Sequence, residues 1–350
     1  YVPVMKNRTV EVGVLQQLSA IGFFDDNVIP LIELVQKEKQ EITIRTPFIQ
    51  DLTKNSFRCA KTCGLWLISQ INENFVLQTD AIREYITVSM RQCDFGIKRA
   101  PAPNQYQDRV IPVISYLSEN LSLNRMDNEV TAIVEFFLSW HFRVKVQEFE
   151  QAFSYVETKI RSTDYLILDI RIFFTHGPVF KKIYRRIAES KKIKSFTSVI
   201  INANRPESLA NKDMIDGEPI AEIDNSLKEL YSSAYMNKFD GFGDYAGISA
   251  SLPSTGGAIS PVGIYYSNEN NYFIAYKGRA PQLSEFPLYI APQIVNSEYW
   301  KEYGEAHHKK CPGCLEIEAI VGGIKSGRNQ AQWKMITMLH YIYTMYEVGA

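Results

Sequence analysis

Short runs of apolar and β-branched residues alternate along the chain with longer segments of helical periodicity. A strand followed by a helix, repeated at a spacing of roughly 30 residues, is typical of parallel βαβ units. No Gly-rich phosphate loop follows the first strand, which argues against a dinucleotide-binding doubly wound sheet. The pattern therefore predicts an α/β fold of the (β/α)8 TIM-barrel type. The eight predicted barrel strands begin near Tyr1, Val28, Arg109, His141, Asp164, Ser195, Asp244 and Ser260.

The same pattern predicts the domain organisation. A single barrel-like domain is expected to span residues 1–350, with residues 53–105 forming a helical insertion after the second strand. Residues 300–350 are expected to form a C-terminal extension that ends in the helix Gln330–Tyr346. Two β-rich runs flanking an Asn-rich turn predict a hairpin within residues 260–277.

Polar residues occupy one face of several predicted strands. Successive side chains of a strand point to opposite faces, so Arg143 and Lys145 share a face, as do Asp169 and Arg171. The apolar faces are expected to pack against the outer helices, which would turn the polar faces into the barrel. The side chains expected to face inward in this way are those of Glu33, Arg143, Lys145, Asp169, Arg171 and Asn202.

Two interpretations of this polar interior remain open. One is a buried ion-pair network that only stabilises the barrel, because buried charges must be paired. The other is a ligand pocket, because barrel active sites lie at the carboxyl ends of the strands. The candidate ligand-binding residues are Lys6, Arg143, Arg171, Asn202, Asn204 and Tyr245. The candidate catalytic residues, which could bind a divalent metal or stabilise phosphoryl charge, are Glu33, Lys145, Asp169 and Asp244.

A cysteine pair near the C-terminus has the spacing of a metal site. The sequence HHKKCPGC contains His307, His308, Cys311 and Cys314, and a CxxC pair on a turn can form half of a zinc site. No second half is obvious in the sequence, although CAKTC at residues 59–63 could supply it. Reduced surface thiols and a redox CxxC pair are the alternatives.

Composition and charge narrow the cellular setting. Lys plus Arg is 38 and Asp plus Glu is 39, a balance that creates no overall attraction to nucleic acid. The basic segment 179–194 is either a solvated helix face or a docking surface for nucleic acid or an acidic partner. Five cysteines, an odd number, fit a reducing compartment, and no apolar run is long enough for a membrane span. We therefore expect a cytoplasmic protein that does not cross a membrane.

Several segments of the sequence occur in a recognisable order: YVPVMKNRTVEVGVLQQL, IPLIEL, IPVI, DYLILDIR, FGDYAGIS, ISPVGIYYS and WKEYGEAHH. In content and order, these segments resemble the phage "beta protein" family. The resemblance implies a barrel-like fold and an origin in phages or bacterial mobile elements, near defence-type genes. It brings no catalytic residues with it, and the CPGC segment is not part of the family pattern.

Three functional hypotheses follow from the residues and the resemblance together. The first is a component of phage or antiphage-defence biology whose polar pocket binds a phosphorylated or nucleotide-like ligand. The second is a metal-dependent phosphodiesterase or nuclease acting at the strand carboxyl ends. The third is a structural partner of the product of a neighbouring gene. The sequence leaves both binding and enzymatic functions open.

Overall fold

The computed structural model describes residues 1–6, 8–24, 27–34, 65–69, 110–115, 127, 130, 140–171, 177–203, 205, 209–220, 239–251 and 259–349. The described strands are β1 (Val2–Lys6), β2 (Leu31–Leu34), β3 (Leu65–Ser69), β4 (Val110–Ser115), β5 (His141–Lys145), β6 (Tyr165–Arg171), β7 (Thr197–Asn202), β8 (Glu218–Pro219), β9 (Gly241–Asp244), β10 (Val262–Ser267) and β11 (Tyr272–Lys277). Strands β1 to β7 and β9 are parallel neighbours, and β9 pairs with both β7 and β1. This pairing closes an eight-stranded barrel.

Helices cover the barrel and build a C-terminal layer. The described α-helices are α1 (Thr9–Ala20), α2 (Phe149–Lys159), α3 (Pro178–Lys194), α4 (Ala291–Asn296), α5 (Glu298–Lys301), α6 (Gly304–His308), α7 (Pro312–Val321) and α8 (Gln330–Gly349). Helix α3 begins with Pro178 in its first turn, directly after Gly177, because proline is preorganised for that position. None of the described helices combines the length and apolarity that crossing a bilayer requires.

Two apolar clusters separate the inside of the barrel from its outside. The outer cluster packs Phe142 and Leu168 of the strands against Phe153 of α2 and Ile187 of α3. The inner cluster fills the barrel with residues from at least five strands: Val2, Val4, Leu31, Val113, Ile167, Val199 and Ile201. Among the described inner-face residues, the charged side chains lie toward the carboxyl ends of the strands, whereas His141 is buried at the start of β5.

The barrel closes at a seam where the backbones come unusually near. A Cβ atom on Gly243 of β9 would lie 2.2 Å from the carbonyl oxygen of Val2 in β1. It would also lie 2.9 Å from the side chain of Ile201. Such contacts exclude any side chain, so glycine allows β9 to fit between β1 and β7.

A second sheet and helix α8 complete the fold. Strand β11 pairs antiparallel with β10 and β8. Helix α8 lies between this sheet and the barrel, because Met338 packs with α1 and β1 while Trp333 packs with the second sheet. The barrel and the C-terminal layer therefore share one helix.

The structure confirms the predicted hairpin but corrects the predicted barrel. Ser267 and Tyr272 close the β10–β11 hairpin, so the run beginning near Ser260 is not a barrel strand. The barrel strand that the prediction lacks is β3 (Leu65–Ser69), which lies within the segment predicted to be helical. That part of the predicted insertion is wrong, and the other residues of 53–105 lie outside the described residues. The division into one domain stays a prediction.

Candidate functional site

Charged side chains lie at the carboxyl ends of four barrel strands, above the apolar filling. Lys6 ends β1, Glu33 is the third residue of β2, Arg143 lies in β5 and Asp169 in β6. Lys6, Glu33 and Asp169 each share a strand face with an apolar residue of the inner cluster. Arg143 is in register with Ile167 of that cluster, so all four side chains point into the barrel. All four are buried, and the inward orientation predicted for Glu33, Arg143 and Asp169 is confirmed.

Arg143 is the centre of this cluster. Its Nη1 donates to Glu33 Oε1 at 2.7 Å, while Nε and Nη2 donate to Asp169 Oδ2 at 3.0 and 2.6 Å. Nη2 also donates to the hydroxyl of Tyr245 at 2.5 Å. A planar guanidinium holds two carboxylates in this way because its donors point in fixed directions. Arg143 therefore fixes both carboxylates in place.

Lys6 is the second cation of the cluster. Its Nζ lies 3.8 Å from Glu33 Oε2, donates to the carbonyl oxygen of Ser249 at 3.4 Å, and lies 5.2 Å from the ring centre of Tyr245. Burial lowers the pKa of Lys6, and the charge of Glu33 acts in the opposite direction. Burial also raises the pKa of Tyr245 well above its usual value, so its hydroxyl stays protonated.

Lys145 and Arg171 form the rim above the buried cluster. Lys145 is half-buried, lies two residues beyond Arg143 on the same face and is in register with Asp169. Arg171 follows an irregularity in the β6–β7 pairing and has a φ of 46°. Its backbone N–H donates to Asp169 Oδ1 at 3.2 Å, and its Nε lies 3.9 Å from Asp169 Oδ2. A bulge at this position aims the Arg171 side chain at the barrel mouth.

Asp244 and Asn202 lie on the other side of the barrel wall. They are in register with each other, and the preceding pair, Ile200 and Phe242, packs in the outer cluster. Both side chains are buried but face outward. The predictions that Asn202 faces the pocket and that Asp244 joins Glu33 and Asp169 are therefore wrong. The inner positions of β7 carry apolar residues instead.

The surroundings of Asp244 are polar but closed to solvent. Its Oδ1 accepts from Tyr1 Oη at 2.9 Å and from the Ala246 N–H at 2.7 Å, and its Oδ2 accepts from Tyr341 Oη at 3.0 Å. Burial raises the pKa of the carboxyl group to about 7, and the three hydrogen bonds oppose the shift. The remaining predicted binding residue, Asn204, lies outside the described residues.

The C-terminal layer holds a separate group of buried His and Cys side chains. His307, Cys311 and Cys314, three of the predicted metal ligands, lie together with His340 of α8. His308, the fourth predicted ligand, points elsewhere: its Nε2 is 3.1 Å from the carbonyl oxygen of Trp300, and its ring stacks on that indole. Sequence reasoning missed His340 because it is 26 residues beyond Cys314, in a helix with no metal-binding spacing.

Two basic residues of helix α3 form ion pairs with its neighbour α2. Lys182 Nζ lies 2.8 Å from Glu150 Oε1, and Arg186 contacts Glu150 at 2.6 Å and Glu157 at 2.9 Å. These pairs are at least partly exposed to solvent. The arrangement favours the interpretation of α3 as a solvated outer face.

A comparison with family profiles decides which proteins this chain is related to. The profile of the Beta protein family matches residues 1–347, nearly the whole length. The chain belongs to the Beta protein family. The resemblance seen in the sequence is thereby confirmed. No curated protein matches the sequence.

Solved structures similar to this Beta protein family member are distant. An HpcH/HpaI aldolase from Desulfitobacterium hafniense DCB-2 shares 10% identity, with 69% of this chain and 85% of that chain covered and a TM-score of 0.37. The tryptophan synthase complex from Pyrococcus furiosus shares 11% identity, with 70% and 87% covered and a TM-score of 0.39.

The barrel mouth of this Beta protein family member combines a buried cluster of paired charges with two more exposed cations, Lys145 and Arg171. Arg143 pairs with both Glu33 and Asp169, so a buried cation already neutralises part of their charge. Asp244 lies on the far side of the wall and cannot complete a three-carboxylate metal site. The rim side chains of Lys145 and Arg171 are the groups best placed to meet a molecule entering the mouth.

Proposed function

We propose that the barrel mouth binds a small phosphorylated or nucleotide-like anion. The supporting observation is the charge balance of the strand residues on the inner face. Among the described inner-face residues, Lys6, Arg143, Lys145 and Arg171 are cationic, and the carboxylates are Glu33 and Asp169. The surplus of positive charge lies at the strand carboxyl ends, where α/β barrels bind their ligands.

The buried cluster and the rim have different tasks in this proposal. Arg143 and Lys6 neutralise Glu33 and Asp169, and their mutual contacts keep the floor of the mouth rigid. Lys145 and Arg171 retain positive charge beyond that neutral floor. Because both are partly shielded from water, their attraction for a phosphate group exceeds that of a fully solvated cation. Arginine also offers a fork of donors suited to phosphate oxygens.

Removing either rim cation is expected to weaken anion binding without unfolding the barrel. A charge-assisted hydrogen bond contributes about 1.5–3 kcal/mol, so Lys145→Ala and Arg171→Ala should each raise the Kd by at least about tenfold. Isothermal titration calorimetry with inorganic phosphate, a nucleoside monophosphate and a nucleoside triphosphate measures the effect. Unchanged thermal unfolding of each variant shows that the floor is intact.

Lys182→Ala is the matched control, because it also removes one lysine charge. Lys182 is 71% exposed and lies on helix α3, in the layer outside the barrel. Its removal should leave anion binding unchanged. If all three variants bind alike, or if the unmodified chain binds none of the anions, the proposed pocket is wrong.

We also propose that this binding serves phage–host conflict in the bacterial cytoplasm, as the family resemblance implies. Bacteria producing the unmodified chain, with the product of its neighbouring gene, would then plate phage differently from bacteria producing the Lys145→Ala, Arg171→Ala double variant. If a broad panel of phages forms plaques equally well on both strains, the proposed role in phage–host conflict is wrong. The calorimetric experiment tests the anion-binding proposal separately.

A further inference from the structure

Four buried side chains converge in the C-terminal layer, away from the barrel mouth. His307 lies in α6, Cys311 immediately precedes α7, Cys314 lies in its first turn, and His340 lies in α8. One ligand atom from each residue lies within 4.8 Å of all the others. Helices from two parts of the sequence thus bring two imidazoles and two thiols to a common centre.

The three distances from His340 Nδ1 to the other ligand atoms match the edges of a ligand tetrahedron. His307 Nε2 lies 3.4 Å from His340 Nδ1, and the sulfur atoms of Cys311 and Cys314 each lie 3.6 Å from that same nitrogen. Zinc binds nitrogen at about 2.0–2.1 Å and sulfur at about 2.3 Å. A regular tetrahedron with those bonds has edges of about 3.3 Å between nitrogens and about 3.6 Å between nitrogen and sulfur.

The second nitrogen of each histidine has a hydrogen-bond acceptor. His307 Nδ1 lies 2.5 Å from Glu347 Oε2, and His340 Nε2 lies 3.0 Å from the carbonyl oxygen of Tyr266. An N–H donated outward to a carboxylate or a carbonyl leaves the inward nitrogen with a free lone pair. Metal-binding histidines are oriented by this arrangement.

We propose that His307, Cys311, Cys314 and His340 bind one zinc ion in a structural site. Two thiolates and two imidazoles in tetrahedral array favour Zn²⁺ over harder cations. Four protein ligands leave no open position for substrate. The ion would join α6, α7 and α8 beneath strand β10, whose Tyr265 ring stacks on His340 with centroids 4.0 Å apart.

Gly313 makes the close approach of α7 and α8 possible. A Cβ atom at this position would lie 2.6 Å from the backbone nitrogen of His340 and 2.8 Å from the carbonyl oxygen of Ile336. Without a side chain at Gly313, the two cysteines flanking it can reach the imidazole of His340. The Pro-Gly of CPGC therefore starts α7 and allows it to contact α8.

Elemental analysis of the full chain, purified without added metal or chelator, tests the proposal. About one zinc per chain is expected. Cys311→Ser and His340→Gln should lose it, whereas His308→Gln, a change to the adjacent histidine outside the set, should retain it. Cys59→Ser with Cys63→Ser should also retain it, since those cysteines belong to the alternative half-site.

A second measurement avoids dependence on variants that fail to fold. Titration of the native chain with an organomercurial should release zinc in step with modification of two of the five thiols, and a chromogenic chelator detects the released zinc. Cobalt in place of zinc should give the visible bands of a tetrahedral site and thiolate charge-transfer absorption. Absence of metal, cobalt in octahedral geometry, or a Cys311–Cys314 disulfide in the freshly purified chain would each overturn the assignment.

Discussion

Replacing Arg143 by methionine is expected to lower the free energy of unfolding by about 3–5 kcal/mol, the usual cost of leaving buried charge unpaired. Methionine is similarly long but has no donors, so Glu33 and Asp169 would remain buried without their shared partner. The buried charged cluster carries balanced charge, with Lys6 and Arg143 opposite Glu33 and Asp169. The single substitution leaves it with one surplus negative charge.

A second substitution distinguishes charge from packing. In Arg143→Met with Asp169→Asn, the surplus is removed while Lys6 still faces Glu33. We expect the double variant to be more stable than Arg143→Met alone, although Asp169→Asn alone also destabilises the chain by leaving a surplus positive charge. The coupling between the two sites should be about 1–3 kcal/mol, because the residues are in direct contact.

Urea unfolding of the four chains, followed by circular dichroism, completes this cycle. The slope of the free energy with denaturant must agree among them for the comparison to hold. If the free energy lost by the double variant equals the sum of the two single losses, the charges of Arg143 and Asp169 do not stabilise each other. The proposed buried ion-pair network beneath the mouth would then be wrong.

The polar floor of the mouth was predictable from β5 and β6. In these strands, charged residues at Arg143, Lys145 and Asp169 alternate with large apolar ones, so the period of two shows which side is polar. The structure confirms that these positions face inward. The alternation is informative because a charge cannot be packed against the outer helices.

The same reasoning failed for β7 because both of its faces are apolar. Val199 and Ile201 fill the barrel, while Ile200 packs outside. Buried parallel strands lose the alternating pattern in this way. Asn202 was then placed by the assumption that polar means inward, whereas it is in register with Asp244 outside the barrel.

Strand number was right, but one strand was misassigned, and the strand predicted to begin near Asp244 ends there instead, since β9 spans Gly241–Asp244. The run Leu65–Ser69 was hidden in a segment predicted to be helical, and a hairpin strand was counted in its place. A short apolar run has no distinctive period, so a strand and a buried helical turn look alike. Likewise, His340 could not be linked to Cys311 from the sequence, since only the packing of α8 on α7 brings them together.

Asp244 gives the second large effect, a dependence of stability on pH. An unfolded aspartate has a pKa of 3.8, whereas burial raises the pKa of Asp244 to about 7 in the folded chain. Between these values the folded state binds more protons than the unfolded state, so the free energy of unfolding falls as pH rises. The loss levels off above about pH 7, where both states are ionised.

Asp244→Asn should remove this dependence, because an amide resembles the protonated carboxyl group and never ionises. At about pH 5 the variant should already be more stable than the unmodified chain by about 1–2 kcal/mol, because the unfolded aspartate is ionised there, and at about pH 8 by about 4 kcal/mol, since one pKa unit is about 1.4 kcal/mol. Urea unfolding of both chains in the two buffers measures the difference.

Asp240→Asn is the control: that carboxylate is 46% exposed and pairs with Lys191, so the variant should show no gain in stability at high pH. A stability difference for Asp244→Asn that is the same in both buffers would mean that the folded chain holds Asp244 ionised throughout, with Tyr1, Tyr341 and the Ala246 N–H compensating for its burial.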